Sequence, residues 1–316
     1  MTSEPTASLS EAVARPGQTV RRRSLAHGRW TPVWFLAPAV LALLAIGLYP
    51  MIFAVVTSFR RYNITRPRDG FPFVGFENYE KVLNDQTFWD TLALTAKFFV
   101  IVMPAELFLG LLIALLLHKP GWGMLRSLAR VSLVVPLATT YAVVGLIGRL
   151  VFNRDFGVAN QFLSWFGFPP LDWLGSEAGA FAAIVIMDIW QWTPFCALVF
   201  LAGLSLVPLD IEEAARLETS SRYSLLRWVQ LPYLLPGLTA LLILRSADVL
   251  KLFDMVFVMT RGGPGAATEL VSVYIQRVGF RVFDMGTASA QAILLLVITI
   301  ILSRLYIRIF YREIEA

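Results

Sequence analysis

An all-α polytopic membrane protein with six transmembrane helices is the fold class this sequence predicts, and three observations predict it. The 316 residues are 57% hydrophobic and only 16% charged, below the roughly one quarter of charged residues usual in a soluble domain. Mean hydropathy is +0.66. Apolar runs recur at 34–59, 92–117, 128–152, 180–206, 233–258 and 285–310, each near the ~20 residues that cross about 30 Å of hydrocarbon.

The elements follow in chain order. Residues 1–29 mix Pro, Ser, Thr and Arg without apolar periodicity and read as a disordered cytoplasmic tail. No small-residue cleavage site precedes the first long run, so that run reads as an uncleaved first span of a six-span domain, 30–316. The second run carries Pro104 and Glu106, and the third Pro136 and Tyr141; such prolines would kink both helices around a central path. A carboxylate inside a span needs a polar partner, which spacing does not name for Glu106. Past the third run, Trp165, Phe166, Phe168 and Trp173 read as a short amphipathic element at the membrane surface, one that could also help dock a soluble protein. The single cysteine, Cys196, falls inside the fourth run, which excludes a disulfide framework and makes it a packing residue. Arg245, Asp248 and Lys251 interrupt the fifth run, which resumes at 255–259.

The net charge of +5 reads as loop charge in such a chain, not as a nucleic-acid surface. Arg21, Arg22, Arg23, Arg29, Lys119, Arg126, Arg216, Arg222, Arg227, Arg308 and Arg312 fall on one side of a six-span topology; on the other, Arg60, Arg61, Arg66 and Arg68 are mixed with Asp69, Glu77, Glu80 and Asp85, and 152–179 holds only Arg154. The bias places both termini in the cytoplasm, with the polar segment 208–232 between the fourth and fifth spans on the same side. In that segment Asp210 is the expected N-cap, Glu212 and Glu213 occupy the first turn, and Ala214, Ala215 and Leu217 sustain a short helix. Ser220 and Ser221 would weaken it before a second amphipathic stretch, 223–229, which Leu231-Pro232 would end. Spacing alone leaves two readings open, a helix gripped by a partner and one lying on lipid.

Polar groups within spans are costly and mark wet cavities or partners, which makes Asp188, Gln191, Arg245, Asp248, Lys251 and Asp254 candidates. Arg245 and Asp248, or Lys251 with Asp248 or Asp254, could equally pair at i, i+3 on one helix face. The fourth run offers the richer chemistry. Asp188-Ile189-Trp190-Gln191-Trp192-Thr193-Pro194-Phe195 sets hydrogen-bonding groups beside aromatic faces, which suits hydroxyls and C–H faces of a sugar, and Pro194 would free a carbonyl. The aromatics alone would also fit an interfacial belt.

Catalytic constellations are missing. No Gly-x-x-x-x-Gly-Lys-Ser/Thr loop occurs, and Gly262-Gly263-Pro264-Gly265 lacks a Lys and reads as a turn. His27 and His118 are unaccompanied and read as solvated loop residues rather than metal ligands.

Two motifs carry a family resemblance. The segment EAARLETSSRYSLLRWVQLP resembles the EAA loop of binding-protein-dependent ABC importer permeases: Glu213-Ala214-Ala215, Val229 and Leu231-Pro232 match. Thr219 stands at the loop's Gly position, and Thr tolerates positive φ poorly. Phe253-Asp254-Met255-Val256 with Thr260-Arg261-Gly262-Gly263-Pro264-Gly265 and Thr268 resembles a signature of maltose-type sugar permeases. The resemblance runs from the first span to the C-terminus and includes Gly75-Phe76-Glu77-Asn78-Tyr79. It implies a type I ABC importer permease fold with a cytoplasmic coupling helix, in a bacterial inner membrane. It also implies a second homologous permease, two copies of a cytosolic ATPase holding ATP and Mg, and an extracytoplasmic solute-binding protein. The chain itself would bind no cofactor and hydrolyse nothing. Glu213, Ala214, Ala215 and Thr219 would form the coupling element, with Arg216 and Arg222 as polar contacts. Asp188, Trp192 and Phe195 would meet the sugar, with Asp248 and Lys251 as further candidates. The readings kept beside it are a self-sufficient secondary transporter or channel, a membrane-embedded enzyme and, within the ABC class, a polyol or glycerol-phosphate permease.

Overall fold

The computed structural model of the protein describes residues 31–66, 68, 70–118, 123–219 and 221–310; the expected tail 1–29, with His27, lies outside them. The chain divides into two units, 1–52 and 53–316. A 26-residue apolar helix, α1 (Val33–Ser58), begins in the first unit and contains a π-helical turn at Leu44–Leu48. The second unit continues with α2 (Glu77–Leu83), α3 (Gln86–His118), α4 (Gly123–Ser132), α5 (Val134–Leu137), α6 (Tyr141–Val151) and α7 (Val158–Trp165). After these come α8 (Glu177–Leu204), α9 (Leu209–Glu218), α10 (Arg222–Leu250), α11 (Asp254–Met259), α12 (Val271–Phe280) and α13 (Met285–Phe310).

Among the described residues α1, α3, α8, α10 and α13 are long and apolar enough to cross a membrane, and Ser127–Leu137 with Tyr141–Val151 makes a sixth candidate span bent by 101°. The third apolar run is thus broken rather than kinked. Past Pro136 the helix ends, and Thr140 turns extended (φ −71°, ψ 151°) to begin α6. A carbonyl freed at this break is recovered across the bundle, where Gln191 Nε2 of α8 donates to Thr139 O at 3.0 Å, as a buried backbone group requires.

The fifth run differs in the opposite sense at its start. The helix does not stop at Leu231-Pro232: α10 runs on from Arg222, and a π-helical turn at Leu226–Gln230 stands directly before Pro232. Pro232 lacks an N–H for the ordinary i−4 bond, and the wider π turn lets the helix continue past it. At the other end α10 stops at Leu250, so 255–259 belongs to the separate α11 rather than to a span reaching 258.

Packing centres on α3 against α8. A Cβ on Gly110 would lie 2.5 Å from Cys196 Cβ and 3.0 Å from Ala197 N, so the missing side chain sets the closeness of the two helices. Around that seam Ala114, Cys196, Phe200, Leu204, Leu234 and Leu241 form one buried cluster. Phe98, Val102, Ile184, Met187, Val249 and Met255 form another. Ser176 caps α8 by accepting from Gly179 N at 3.2 Å, and Glu177 sits in its first turn, both favoured at a helix N-terminus.

The two remaining motifs are structural pins. Asn78 donates to the Ser58 and Arg60 carbonyls, each at 2.8 Å, and the Tyr79 hydroxyl lies 2.8 Å from Ser58 Oγ. In the second, Thr268 Oγ1 lies 2.6 Å from Thr260 Oγ1 and donates to Gly263 O at 2.8 Å. That closes a turn in which Gly262 and Gly265 take positive φ, 88° and 56°, a region glycine enters without steric cost. Directly after it, burial pushes the Glu269 carboxyl up while the facing Arg277 pulls it down.

Candidate functional site

Two polar constellations stand out, one inside the helix bundle and one at its end. In the first, Arg245 of α10 is fully buried. Its Nε and Nη2 donate to the two oxygens of Glu106 on α3 at 2.8 and 2.7 Å, and Nη2 also donates to Asp188 Oδ2 on α8 at 2.7 Å. Glu106 and Asp188 are equally buried. One guanidinium therefore ties three helices together with charge-assisted bonds, the arrangement that makes buried charge tolerable. The expected i, i+3 pairing of Arg245 with Asp248 does not form. Asp248 instead bonds Lys251 at 2.9 Å, and the Lys251 side chain is 69% exposed.

Trp192 covers the guanidinium, with the Arg245 Cζ 4.5 Å from its ring centroid, a cation–π arrangement. Tyr141 and Phe195 flank the indole at centroid distances of 6.0 and 5.7 Å. Asp188 Oδ1, Gln191 Oε1, Trp192 Nε1, Thr193 Oγ1, Tyr141 OH and Arg245 Nη1 are buried polar atoms without a hydrogen-bond partner among the described residues. Donors and acceptors thus lie beside aromatic faces, the combination expected of the fourth apolar run. Pro194 is accommodated within an unbroken α8.

Of the expected substrate residues, Asp188, Trp192 and Phe195 lie together here, Asp188 with one oxygen already committed. Asp248 and Lys251 form their own pair. Sequence reasoning passed over Tyr141 as a site residue and left Glu106 without a partner. The signal for the pairing was the presence of an acid and a base at intramembrane positions of two different runs.

The second constellation is α9 and the turn after it. Pro208, not Asp210, is the N-cap residue, and Asp210 lies within the first turn; the proline's fixed φ of −61° presets the helix start, leaving Asp210 to complement the dipole. Asp210, Glu213, Ala214 and Leu217 share an exposed face at i, i+3, i+4, i+7 spacing. Glu212 faces the other way, buried, bonded to Arg216 Nη2 at 2.7 Å and 3.7 Å from His118 Nε2. His118, expected as a solvated loop residue, therefore ends α3 beside a carboxylate.

Thr219 is extended, φ −140° and ψ 133°. Its Oγ1 accepts from Ser221 N at 3.1 Å, and Ser221 Oγ in turn accepts from Ser224 N at 3.3 Å to cap α10. Ser221 thus starts the next helix rather than weakening the previous one. Arg216, Thr219 and Arg222 line a cleft of about 670 Å³ together with His118, Glu212 and Gln230.

Residues 106–315 match the family model of the binding-protein-dependent transport system inner membrane component. The sulfoquinovosyl glycerol transport system permease SmoG of Agrobacterium fabrum is 36% identical, over 89% of this chain and 90% of its own. The trehalose/maltose permease MalF of Thermococcus litoralis is 37% identical, over 75% and 80%. A chain of a bacterial ABC transporter for the acidic polysaccharide alginate superposes with a TM-score of 0.77 at 19% identity, over 90% of this chain and 96% of that one.

Proposed function

The chain belongs to the family of binding-protein-dependent transport system inner membrane components, and from that premise we propose that its substrate is a sugar carried past Trp192. It is a multi-pass permease subunit of an ABC importer, a non-catalytic component. The observation that carries the substrate reading is the indole of Trp192, flanked by Tyr141 and Phe195 and surrounded by buried donors and acceptors. An aromatic face takes the C–H face of a pyranose, and the polar atoms take its hydroxyls. Relatives named for trehalose/maltose and for sulfoquinovosyl glycerol support a glycoside. A glycerol-phosphate substrate would call for a cation, and the basic residues that interrupt the fifth run are Arg245 and Lys251. The fork of Arg245 is occupied by two carboxylates and Lys251 is paired with Asp248, so neither favours an anion.

The same premise supports a reading of the rest of the assembly. The exposed α9 face carrying Glu213 and Ala214 seats on a cytosolic ATPase that holds ATP and Mg, and both termini of the chain are cytoplasmic. A second permease completes the pathway, two ATPase copies drive it, and an extracytoplasmic protein delivers the sugar. Closure of the ATPase pair pulls α9, and with it α8 and α10, between two access states. The test is uptake by sealed vesicles carrying the assembled transporter. Sugar accumulation that needs both ATP and the binding protein supports the reading, and uptake by the permease chains alone overturns it.

A further inference from the structure

Between the bent third span and α8 lies a segment outside the spans, 152–176, that presents an apolar face with no cover. Helix α7 has the sequence Val158-Ala-Asn-Gln-Phe-Leu-Ser-Trp165 and carries no charge. Val158, Phe162, Trp165 and the adjoining Phe166 recur at i, i+4, i+7, i+8, so they share one side of the helix, and each is more than half exposed. Phe156 and Phe168 extend this patch.

The orientation of α7 is fixed from its other side. Asn160 is buried and makes four bonds: its Nδ2 donates to Arg154 O and Leu171 O, and its Oδ1 accepts from Leu171 N and Trp173 Nε1, all within 3.1 Å. An amide with every bond taken locks the turn of the helix, so the aromatic face is held outward rather than caught in passing. Arg154 and Asp172 lie 3.9 Å apart and face each other, which leaves Asp155, exposed beside Phe156, as the one charge at the edge of the patch outside that pair.

What covers the patch follows from its neighbours. On α6, the half of the bent candidate span immediately before this segment, Val143, Leu146 and Leu150 are exposed at i, i+3, i+7, an apolar stripe that leads to Phe156 and α7. An apolar stripe on a candidate span is at home in hydrocarbon, Trp favours the level where a bilayer meets water, and Trp and Phe line the apolar face of helices that lie in that interface. We propose that α7 is a membrane-interface anchor whose Val158, Phe162, Trp165 and Phe166 face rests in the bilayer surface on the side opposite the α9 loop. The side is set by topology, because α8 starts after this segment, crosses the membrane and ends at that loop. The anchor holds the outer end of the bent span at a fixed depth while α8 and α10 move.

The single cysteine makes the test clean. Cys196 is buried, and Cys196→Ala keeps the Cβ that packs at Gly110. On that background F162C and F166C, with S164C on the polar side as reference, are spin-labelled and the complete transporter is placed in liposomes without binding protein. Collisions with oxygen, which concentrates in lipid, are compared with collisions with a water-soluble nickel chelate. Labels at 162 and 166 should favour oxygen, and the label at 164 should favour nickel. Nickel preference at all three positions would mean a water-exposed face awaiting a soluble partner, and shielding from both reagents a face buried against another subunit. Either result overturns the proposal, and neither bears on the sugar reading.

Discussion

Arg245 on α10 grips both carboxylate oxygens of Glu106 on α3, at 2.8 and 2.7 Å, with every participating atom shielded from solvent. Because Asp188 of α8 joins the same guanidinium at 2.7 Å, the two helices that flank the α9 loop, α8 and α10, are cross-linked to each other and to α3. Motion delivered at the loop is then shared between them instead of being absorbed by slippage.

Arg245→Leu should cost about 3–5 kcal/mol, because it leaves two buried carboxylates without their counterpart, whereas Glu106→Gln should cost less, since Asp188 still pairs with the guanidinium. Replacing all three, with Glu106→Leu, Asp188→Leu and Arg245→Met, should restore much of the loss, since no charge stays behind. Thermal unfolding of the purified complex in detergent reads both. Equal damage from the single and triple changes would refute the charge argument and point to shape alone.

Gly110→Ala should destabilise the α3–α8 seam by about 1–3 kcal/mol, the usual cost of overpacking a tight interior. The new Cβ meets Cys196 Cβ at 2.5 Å and the Ala197 nitrogen at 3.0 Å. Adding Cys196→Gly removes the first clash and leaves the second, so recovery in the double variant should be partial. Full stability in the single variant would show that the helices can part freely.

Thr219→Gly, which restores the residue the family loop usually holds, should bring no gain. Thr219 is extended and its hydroxyl accepts from Ser221 N, so Gly would lose that bond and add unfolded-state freedom worth about 0.5–1 kcal/mol. A rise in transport or stability would mean that the turn does need a left-handed residue.

How much of this was legible beforehand divides by range. Composition and run length exposed the spans, and the Glu213-Ala214-Ala215 and Thr260 to Thr268 blocks pointed to the family. Local spacing misled wherever a distant group decided the outcome. Arg245 has Asp248 within reach on its own helix, yet Glu106, 139 positions away in sequence, offers a bidentate grip that an i, i+3 neighbour cannot match. The bend after Pro136 becomes a full break where a Gln191 amide on another helix donates to the freed Thr139 carbonyl. Pro232 looked like a stop and is passed by a π turn, for which a proline alone gives no sign.

Glu213→Lys should reduce ATP-driven uptake while leaving the permease folded. Glu213 is exposed on α9, whereas its neighbour Glu212 is buried against Arg216 and His118. Glu212→Lys should therefore damage the fold of the loop itself. Co-purification of the ATPase and thermal stability separate the two effects, and an unaltered ATPase complex with Glu213→Lys would remove that residue from the coupling face.

Trp192→Ala and Lys251→Met should part company in transport. Trp192 presents an indole whose polar edge has no partner among the described residues, and removing it should raise the sugar concentration needed for half-maximal uptake on the order of tenfold, about 1.4 kcal/mol. The same ring also lies on Arg245, so a purely structural effect must be separated: Trp192→Phe keeps an aromatic face over the guanidinium and should retain assembly and most of the affinity. Lys251 is exposed and paired with Asp248 on its own helix, an interaction worth about 0–1 kcal/mol, and Lys251→Met should leave uptake close to the parent. If Lys251→Met abolished uptake while Trp192→Ala did not, the sugar path would have to run along the Lys251 end of α10 rather than past the indole.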